Sequence, residues 1–348
     1  MIIIQDRNTL VNNQQKKKNK MADLSTHYMG MKLRNPIIVG SSGLTNSLEN
    51  ILKIEEAGAG AVVLKSLFEE QINYAVSKTF NDNETNFGYT DAHDYISNYT
   101  EEKDLERYLD LIRDAKEKVG IPVMASVNCV SSSQWTSFAK KIEEAGADAL
   151  ELNMFILPSD TRHNADENEK VYFEILQAVI KQLSIPVSAK ISYYFSGLAN
   201  TALKLSWTGI KGLVLFNRFY SPDIDIDKFE VVSTNVFSTP GELPLSLRWV
   251  AMLSHQVHCD IAASTGIHDG KAVIKQLLAG AKAVQLASVL YKKGFEQIGL
   301  MTKEIEEWMA NHNFSSPEDF IGKLSYKEAD NPAAYERVQF MKHFAGIE

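Results

Sequence analysis

The sequence repeats one pattern at three places, which read EEAGAGAVVLKS (55–66), EEAGADALELN (143–153) and KQLLAGAKAVQLAS (275–288). Each stretch begins as the end of an amphipathic helix and turns at Ala-Gly-Ala, where glycine can adopt the left-handed conformation that closes a helix. Each then enters a short apolar run that stops at a polar residue. The pattern predicts a helix followed by a buried strand, repeated along the chain.

Five further apolar runs match the strand half of this unit. Two of them begin with Ile-Pro-Val, and proline suits the first position of a strand because no ladder donor is lost there. The runs are nearly continuously apolar rather than alternating, which is typical of parallel strands covered on both faces. They are NPIIVGSS (35–42), IPVMASVN (121–128), IPVSAKIS (185–192), GLVLFN (212–217) and DIAAST (260–265).

Helical periods separate these eight predicted strands. The first period opens with Asn46 and Glu49, which resemble a capping box. Eight strands that alternate with helices predict a TIM (β/α)8 barrel of the α/β class. A doubly wound open sheet is the alternative, but the eight units and the lack of a GxGxxG after the first strand disfavour it. The helical periods lie at about 46–57, 132–145, 171–183 and 270–278.

The barrel pattern predicts one folded domain at residues 21–348, with a C-terminal helical extension in 289–348. Residues 1–20 include the run NNQQKKKNK, which is polar and basic and has nothing to bury. We expect this part to be a disordered or leader segment, and binding of an anionic partner is the alternative. Met21 opens MADLSTHYMG, which looks like a more natural start.

The composition excludes several classes of protein. The chain has 348 residues, 45% of them hydrophobic, and 36 Lys and Arg against 44 Asp and Glu give a net charge of −8. An acidic chain without a long basic stripe argues against nucleic acid as the main partner. Two cysteines are too few for a disulfide framework or a four-cysteine metal site. No apolar run reaches the roughly 18 residues of a membrane span, and without a signal peptide we expect a cytoplasmic protein.

Three connections that follow predicted strands are long, at 67–110, 154–170 and 218–248. Loops after the strands of such a barrel lie on its C-terminal face, where active sites are found. The third connection contains DIDIDKFEVVSTNVFSTP, whose alternation predicts a β-hairpin. Long loops on this face indicate a covered ligand.

Polar residues follow the predicted strands at this face. A partly buried ammonium is costly unless it is paired, so Lys65 and Lys190 argue against a purely structural barrel. Asparagine amides both donate and accept hydrogen bonds, which suits a planar heterocycle with polar edges. Lys190 beside such a ring could stabilise negative charge on a reduced flavin. The strand ends carry Ser41, Ser42, Gly43, Lys65, Ser66, Asn128, Asn153, Lys190, Asn217, Ser264, Thr265, Gly266, Ala287 and Ser288.

The last two strand ends predict a phosphate site. Gly266 allows close approach of the backbone, and both Ser264-Thr265-Gly266-Ile267 and Ala287-Ser288 lead into helices, whose N-terminal N–H groups bind anions. The loops after strands seven and eight are the usual phosphate grip of this fold.

The segments NPIIVGSSG, AVVLKS, ALELN, PVSAKIS, GLVLFN, STGI and AVQLAS resemble, in order and spacing, the dihydroorotate dehydrogenase family of FMN-binding barrels. The resemblance covers about residues 22–300. It implies a homodimeric FMN-dependent oxidoreductase that acts on CH–CH groups. The leading specific reaction is oxidation of dihydroorotate to orotate in pyrimidine biosynthesis, and the expected substrate class is a small cyclic amide or a related carbonyl compound.

The resemblance also implies roles for individual residues. The FMN-binding set is Ser41, Ser42, Gly43, Lys65, Ser66, Asn153, Lys190, Thr265, Gly266, Ile267, Ala287 and Ser288. The substrate-binding set is Lys65, Asn128, Asn153 and Asn217.

The resemblance fails at the catalytic base. The family motif after strand four is Asn-x-Ser-Cys/Ser-Pro-Asn, whose Cys or Ser is the base, whereas this chain has NMFILPSD at 153–160. Ser159 is the predicted replacement after a shift of register, with Lys65 as the other catalytic candidate, and Cys129 is a weaker substitute. Arg218 and Phe219 stand where the family has smaller residues, and they are expected to reshape the substrate side.

Three other interpretations stay open at the level of sequence. The substrate could be altered, for example to an electrophilic alkene that is reduced. Lys190 could form a Schiff base, as lysines in aldolase-type barrels do. The barrel could also bind FMN or a metabolite without catalysis. No metal site is predicted, because Asp223, Asp225 and Asp227 suit the solvated face of a hairpin better than a cation site.

Overall fold

The computed structural model describes residues 22–68, 101–129, 135–218, 222–233 and 236–336. The predictions about residues 1–20, Phe219 and the side chain of Cys129 lie outside these ranges, as does most of the 67–110 connection. Within the described ranges, no helix is long and apolar enough to cross a membrane.

Eight parallel strands close into a barrel, because the last of them pairs with the first: Val284 lies opposite Ile37. This closure confirms the predicted TIM barrel and excludes the open sheet. In ring order the barrel strands are β3 (Ile37–Val39), β4 (Ala61–Val63), β6 (Val123–Cys129), β7 (Ala149–Met154), β8 (Val187–Ile191), β9 (Gly212–Leu215), β12 (Asp260–Ser264) and β13 (Ala283–Leu286). A ninth short strand, β5 (Leu67–Phe68), continues beside β6 where β4 has ended.

Helices lie between the barrel strands, and two of them begin at other residues than predicted. Ser47, not Asn46, caps the first helix by accepting a hydrogen bond from the N–H of Asn50. The fourth helix starts before residue 171, because Asn164 and Glu167 form a capping box there. The helices are α1 (Leu48–Glu56), α2 (Glu101–Lys118), α3 (Trp135–Glu144), α4 (Ala165–Ile180), α5 (Leu198–Ser206), α6 (Leu243–Leu253), α7 (Gly270–Ala279), α8 (Ser288–Lys293), α9 (Gln297–His312) and α10 (Ala333–Glu336).

An antiparallel hairpin of β1 (Thr26–Tyr28) and β2 (Met31–Leu33) closes the N-terminal end of the barrel. Its side chains pack against the apolar residues that point inward from the strands, among them Ile38 and Val214. Gly212 is required at this contact, since a Cβ there would lie 2.6 Å from the Tyr28 hydroxyl. The lower barrel is therefore filled with side chains.

Polar side chains form the upper layers of the barrel interior. Ser126, Glu151 and Ser188 lie side by side on three neighbouring strands. One level higher, Asn128, Asn153 and Lys190 lie side by side in the same way. Because side chains two residues apart on a strand share a face, both rows point to the same side of the sheet. The register thus brings three of the predicted site residues into one row.

The predicted hairpin in the third long connection is confirmed. It consists of β10 (Pro222–Asp225) and β11 (Glu230–Ser233), with Ile224 opposite Val231. The carboxylate of Asp225 accepts hydrogen bonds from the N–H groups of Asp227 and Lys228, so it stabilises the turn. In the described ranges, no three His, Cys, Asp or Glu residues are grouped as metal ligands.

Candidate active site at the barrel mouth

A cavity of about 420 Å³ opens at the C-terminal end of the strands. Such a volume is in the usual range for sites that bind small molecules or cofactors. Most of the predicted cofactor-binding residues line it: Ser41, Ser42, Lys190, Thr265, Gly266, Ile267, Ala287 and Ser288. Asn217, Arg218, Phe237, Ser238, Gln285 and Tyr291 also line it.

Lys190 provides the positive charge at one wall of this cavity. Its ammonium donates a hydrogen bond to Oε1 of Gln285 at 2.8 Å and lies 3.6 Å from Oε1 of Glu151. The Gln285 amide in turn donates to Oε2 of Glu151. The buried amine is therefore paired, as the cost of an isolated buried charge requires.

The predicted substrate-binding asparagines lie next to Lys190. The side-chain nitrogen of Asn217 donates to Oδ1 of Asn153 at 2.7 Å. Oδ1 of Asn128 is buried and has no hydrogen-bond partner among the described residues. An unpartnered buried oxygen is costly in a folded protein, and it suits a site where a ligand donates the missing hydrogen bond.

Three serines connect the first strand to the third. The hydroxyls of Ser41 and Ser66 lie 3.0 Å apart, and Ser66 lies 2.8 Å from the hydroxyl of Ser126. Ser66 thus lies behind Ser41, which lines the cavity. Gly43 packs against Tyr291, which lines the cavity, and a Cβ on Gly43 would lie 2.7 Å from the Tyr291 hydroxyl.

Gly266 allows a close backbone contact on the predicted phosphate side. Its φ is +78°, and a Cβ there would lie 2.3 Å from the backbone nitrogen of Leu243. Thr265 before it also has a positive φ, of 74°. No other residue than glycine fits at position 266 without a shift of the Leu243 backbone.

Ser238 contacts both halves of the predicted phosphate site. Its N–H donates to the hydroxyl of Ser288 at 2.9 Å, and its own hydroxyl accepts from the N–H of Gly266 at 3.4 Å. The same hydroxyl lies 3.2 Å from Nε2 of His268, and the Lys292 ammonium donates to the Ser238 carbonyl at 2.9 Å. The segment around Ser238 therefore lies across the end of the cavity.

Burial lowers the pKa of His268, and the nearby Lys292 and Lys293 lower it further. The imidazole is consequently neutral at neutral pH, with Nε2 against the Ser238 hydroxyl. The cationic group at this end of the cavity is the Lys292 ammonium, which also lies 5.9 Å from the centre of the Phe237 ring.

Arg218 links the sixth strand to the segment that covers the cavity. It donates to the carboxylate of Glu242 at 2.8 Å and to the carbonyl of Val236 at 2.9 Å. Burial opposes the ionisation of Glu242, but the hydrogen bonds from Arg218 and Thr239 prevail and lower its pKa. Arg218 therefore lines the cavity at the position where the sequence predicts a change of the substrate site.

The two predicted catalytic residues lie outside the cavity lining. Lys65 is half-buried directly after β4, where its N–H donates to the carbonyl of Thr45. Ser159 is exposed, and its N–H donates to the carbonyl of Leu157 at 2.8 Å. The catalytic role of either residue stays a prediction.

Several residues of the site were not predicted from the sequence. Ser238, Phe237 and Tyr291 lie in a loop and a helix without a pattern that distinguishes them from other surface positions. Glu151 and Gln285 carry a signal that could have been used, because each is a polar residue inside an otherwise apolar strand. A buried charge in such a strand requires a partner.

Comparisons with known proteins agree with this architecture. A family model described as dihydroorotate dehydrogenase matches residues 23–309. The catalytic subunit of dihydroorotate dehydrogenase B (NAD(+)) from Thermoplasma acidophilum is 29% identical over 312 residues, which cover 87% of this chain and 99% of that protein. The subunit of the same name from Pyrococcus abyssi is 27% identical over 304 residues, covering 86% and 98% of the two chains.

A relative with another named activity is similar over nearly the same stretch. The NAD-dependent dihydropyrimidine dehydrogenase subunit PreA from Escherichia coli strain K12 is 26% identical over 318 residues, covering 86% of this chain and 76% of that protein. The family match and these relatives support a flavin-dependent dehydrogenase of the dihydroorotate or dihydropyrimidine type. The match from residue 23 to residue 309 includes every strand of the barrel, and the chain therefore belongs to the dihydroorotate dehydrogenase family.

Proposed function

We propose that this protein is an FMN-dependent oxidoreductase that acts on a CH–CH bond of a small cyclic amide, with dihydroorotate as the first substrate to test. The observation that carries the proposal is the cavity that joins the Lys190 ammonium to the Gly266 and Ser288 side of the barrel mouth. Flavin mononucleotide has two polar ends, the pyrimidine edge of its ring and its phosphate. The cavity has Lys190 at one end and Gly266 and Ser288 at the other, which matches them.

The residues present fit FMN. Lys190 and Ser41 would lie along the ring, where the ammonium favours negative charge on the pyrimidine edge of the flavin. The missing side chain of Gly266 would let the backbone approach the phosphate closely, and the Ser288 hydroxyl, at the start of a helix, would donate to it. When bound, FMN supplies the capacity to accept or return a hydride.

The asparagine amides and Lys65 are proposed to bind the substrate. Asn128, Asn153 and Asn217 provide donors and acceptors whose charge does not change with pH. The unpartnered oxygen of Asn128 supports this assignment, because a ring N–H of a cyclic amide would satisfy it.

Proton transfer is where this chain departs from its family. Oxidation of dihydroorotate removes a proton from C5 while a hydride leaves C6, so a base must lie within hydrogen-bond reach of C5. Ile156 stands at the base position of the family motif and has no proton acceptor in its side chain, and its N–H donates to the Tyr172 hydroxyl at 3.1 Å. Ser159 in the same loop is the predicted replacement, but its exposed position outside the cavity lining argues against that role.

The isoleucine at the base position favours a second candidate function, the reduction of an electrophilic alkene. In that reaction the hydride adds to the β-carbon and solvent can supply the proton, so no protein base is needed. The Schiff-base alternative is disfavoured, because a lysine nucleophile attacks as a neutral amine with a free lone pair, whereas the Lys190 amine is ion-paired with Glu151 and donates to Gln285.

The family resemblance further leads us to propose a homodimer in the cytoplasm, with residues 21–348 as one domain. Light scattering of the purified protein would measure its mass in solution. A mass twice that of the 39.0 kDa chain is expected.

The absorption spectrum of the purified protein tests the proposal. We expect the two bands of oxidised flavin, and release of FMN rather than another flavin on denaturation. Anaerobic addition of dihydroorotate should bleach the flavin, and dithionite serves as the positive control for reduction. A flavin that dithionite bleaches but millimolar dihydroorotate does not would reject this substrate, and the alkene candidate would then be tested by reoxidation of the reduced flavin. A protein that binds no flavin would reject the whole proposal.

A further inference from the structure

We propose that Glu151 is a positioning residue that holds the Lys190 side chain at the cavity wall, with Gln285 as the link that fixes the orientation of both side chains. The part of this inference that concerns bound flavin rests on the proposed function. The relation between Glu151 and Lys190 does not.

All three residues of this network are buried. Glu151 is 1% exposed, Gln285 3% and Lys190 8%. A carboxylate removed from water to this extent is destabilising by several kcal/mol unless a charged group and hydrogen bonds compensate it. In this barrel two contacts compensate the Glu151 carboxylate. The Lys190 ammonium lies 3.6 Å from its Oε1, and the Gln285 amide donates to its Oε2.

Gln285 contacts both charged side chains. Its Oε1 accepts from Lys190 at 2.8 Å, while its Nε2 donates to Glu151. An amide can bridge an ammonium and a carboxylate in only one orientation, because one end accepts and the other donates. Gln285 therefore fixes where the ammonium lies relative to the cavity that both residues line.

Two buried tyrosines also lie within electrostatic reach of Glu151. Its other titratable neighbours are Tyr28 and Tyr108, and burial raises the pKa of each phenol, with the charge of Glu151 adding to the effect. Both phenols stay neutral at physiological pH. Arg218, which lines the same cavity, is paired with Glu242. Among the described residues, Lys190 is thus the only cation paired with Glu151 within 4.0 Å.

Glu151 itself does not line the cavity. It therefore influences a ligand only through Lys190 and Gln285, which is what distinguishes a positioning residue from a catalytic one. Opposite charges attract, so Glu151 would hold the Lys190 ammonium where a bound anion or an electron-rich ring can meet it.

The test measures the reactivity of Lys190 with an amine-acylating reagent as a function of pH, read by peptide mass spectrometry. Wild type is compared with Glu151→Gln and with the control Ser188→Ala. Ser188 is the inward-pointing residue two positions before Lys190 on β8, and it lies opposite Glu151. In Glu151→Gln we expect faster labelling of Lys190 at neutral pH, because the amine loses the carboxylate that holds it in place. In Ser188→Ala we expect no change. Identical profiles in wild type and Glu151→Gln would overturn the proposal.

Two further measurements complete the test. If Glu151→Gln fails to fold, the double variant Glu151→Gln/Lys190→Met should fold, because it removes both buried charges. A double variant that also fails would show that Glu151 acts by packing alone, which overturns the proposal. In flavin-loaded protein, the midpoint potential of Glu151→Gln should gain a pH-dependent step that Lys190→Met abolishes. The labelling result is independent of flavin, so it stands whether or not the proposed oxidoreductase activity is found.

Discussion

The side-chain nitrogen of Asn217 lies 2.7 Å from Oδ1 of Asn153, although 64 residues separate them in sequence. Asn153 is part of β7 and Asn217 follows β9, so the pair spans β8 and its Lys190. The hydrogen bond fixes the orientation of both amides, because the Asn217 nitrogen donates and the Asn153 oxygen accepts. The donor–acceptor pattern of the proposed substrate site is thus determined by one contact between two strands.

A double-mutant cycle would measure this contact. We expect Asn153→Ala and Asn217→Ala to be less than additive, with a coupling free energy of about 0.5–1.5 kcal/mol in urea unfolding. Asn217→Ala combined with Glu49→Ala, an exposed position on α1, serves as an additive control. Full additivity of the asparagine pair would contradict the contact.

An acidic residue at position 238 should block the phosphate end of the cavity. Ser238 lies between the N–H of Gly266 and the hydroxyl of Ser288, so Ser238→Asp would place a carboxylate where the FMN phosphate is proposed to lie. We expect loss of FMN binding in fluorescence titration. Ser238→Ala is the matched control and should retain FMN. If the Asp variant binds FMN as tightly as wild type, the phosphate lies elsewhere.

Gly266→Ala should destabilise the fold. The residue has φ +78°, and a Cβ would collide with the backbone of Leu243, so we expect a loss of about 1–3 kcal/mol. Gly299→Ala is the control, because Gly299 lies in α9 with only one atom, at 3.7 Å, near a new Cβ. That variant should gain about 0.5–1 kcal/mol from helix propensity. Thermal unfolding of both variants measures the difference, and equal midpoints would contradict the strain at Gly266.

Ser159→Ala tests the predicted base. Since Ser159 is exposed and lies outside the cavity lining, we expect the rate of flavin reduction by substrate to be unchanged in stopped-flow measurements. A fall of about 10²–10⁴-fold, the size of a general-base effect, would instead establish Ser159 as the base. Thr161→Ala is the matched control, because it removes another exposed hydroxyl from the same loop.

Glu143 predicts a pH-dependent contribution to stability. Hydrogen bonds from Lys140 and Ser184 lower its pKa to about 2 from the ordinary 4.5, and Glu143 also accepts from the N–H of Ile185 just before β8. Because the folded pKa is the lower one, this stabilisation is present above pH 4.5 and is lost as the pH falls through 2. Glu143→Ala should therefore be less stable than wild type at neutral pH, by about 1–3 kcal/mol.

The difference between Glu143→Ala and wild type should shrink as the pH is lowered from 4.5 toward 2, as measured by urea unfolding. Glu144→Ala, which changes the adjacent exposed carboxylate, should show no such convergence. A destabilisation of Glu143→Ala that is independent of pH would contradict the assignment to the charged form.

The repeated helix–turn–strand pattern was sufficient to predict the barrel and the face on which its site lies. Ala-Gly-Ala turns and continuous apolar runs are local signals, and parallel strands place their carboxyl ends at one edge by geometry alone. For that reason Lys190, Asn153 and Gly266 could be named from the sequence. The start of the first helix could not be predicted in this way. Asn46, next to the actual cap Ser47, is equally suited to cap a helix.

Only the tertiary structure decided which side chains meet at the mouth. Glu151 and Gln285 are 134 residues apart, and Ser238 and Ser288 are 50 apart. These contacts depend on strand register, on closure of the ring and on the path of an aperiodic loop. The sequence therefore determined where polar groups stand along each strand, because that follows from local periodicity. The pairing of those groups is a long-range property, set by strand register and by the burial of polar groups when the barrel closes.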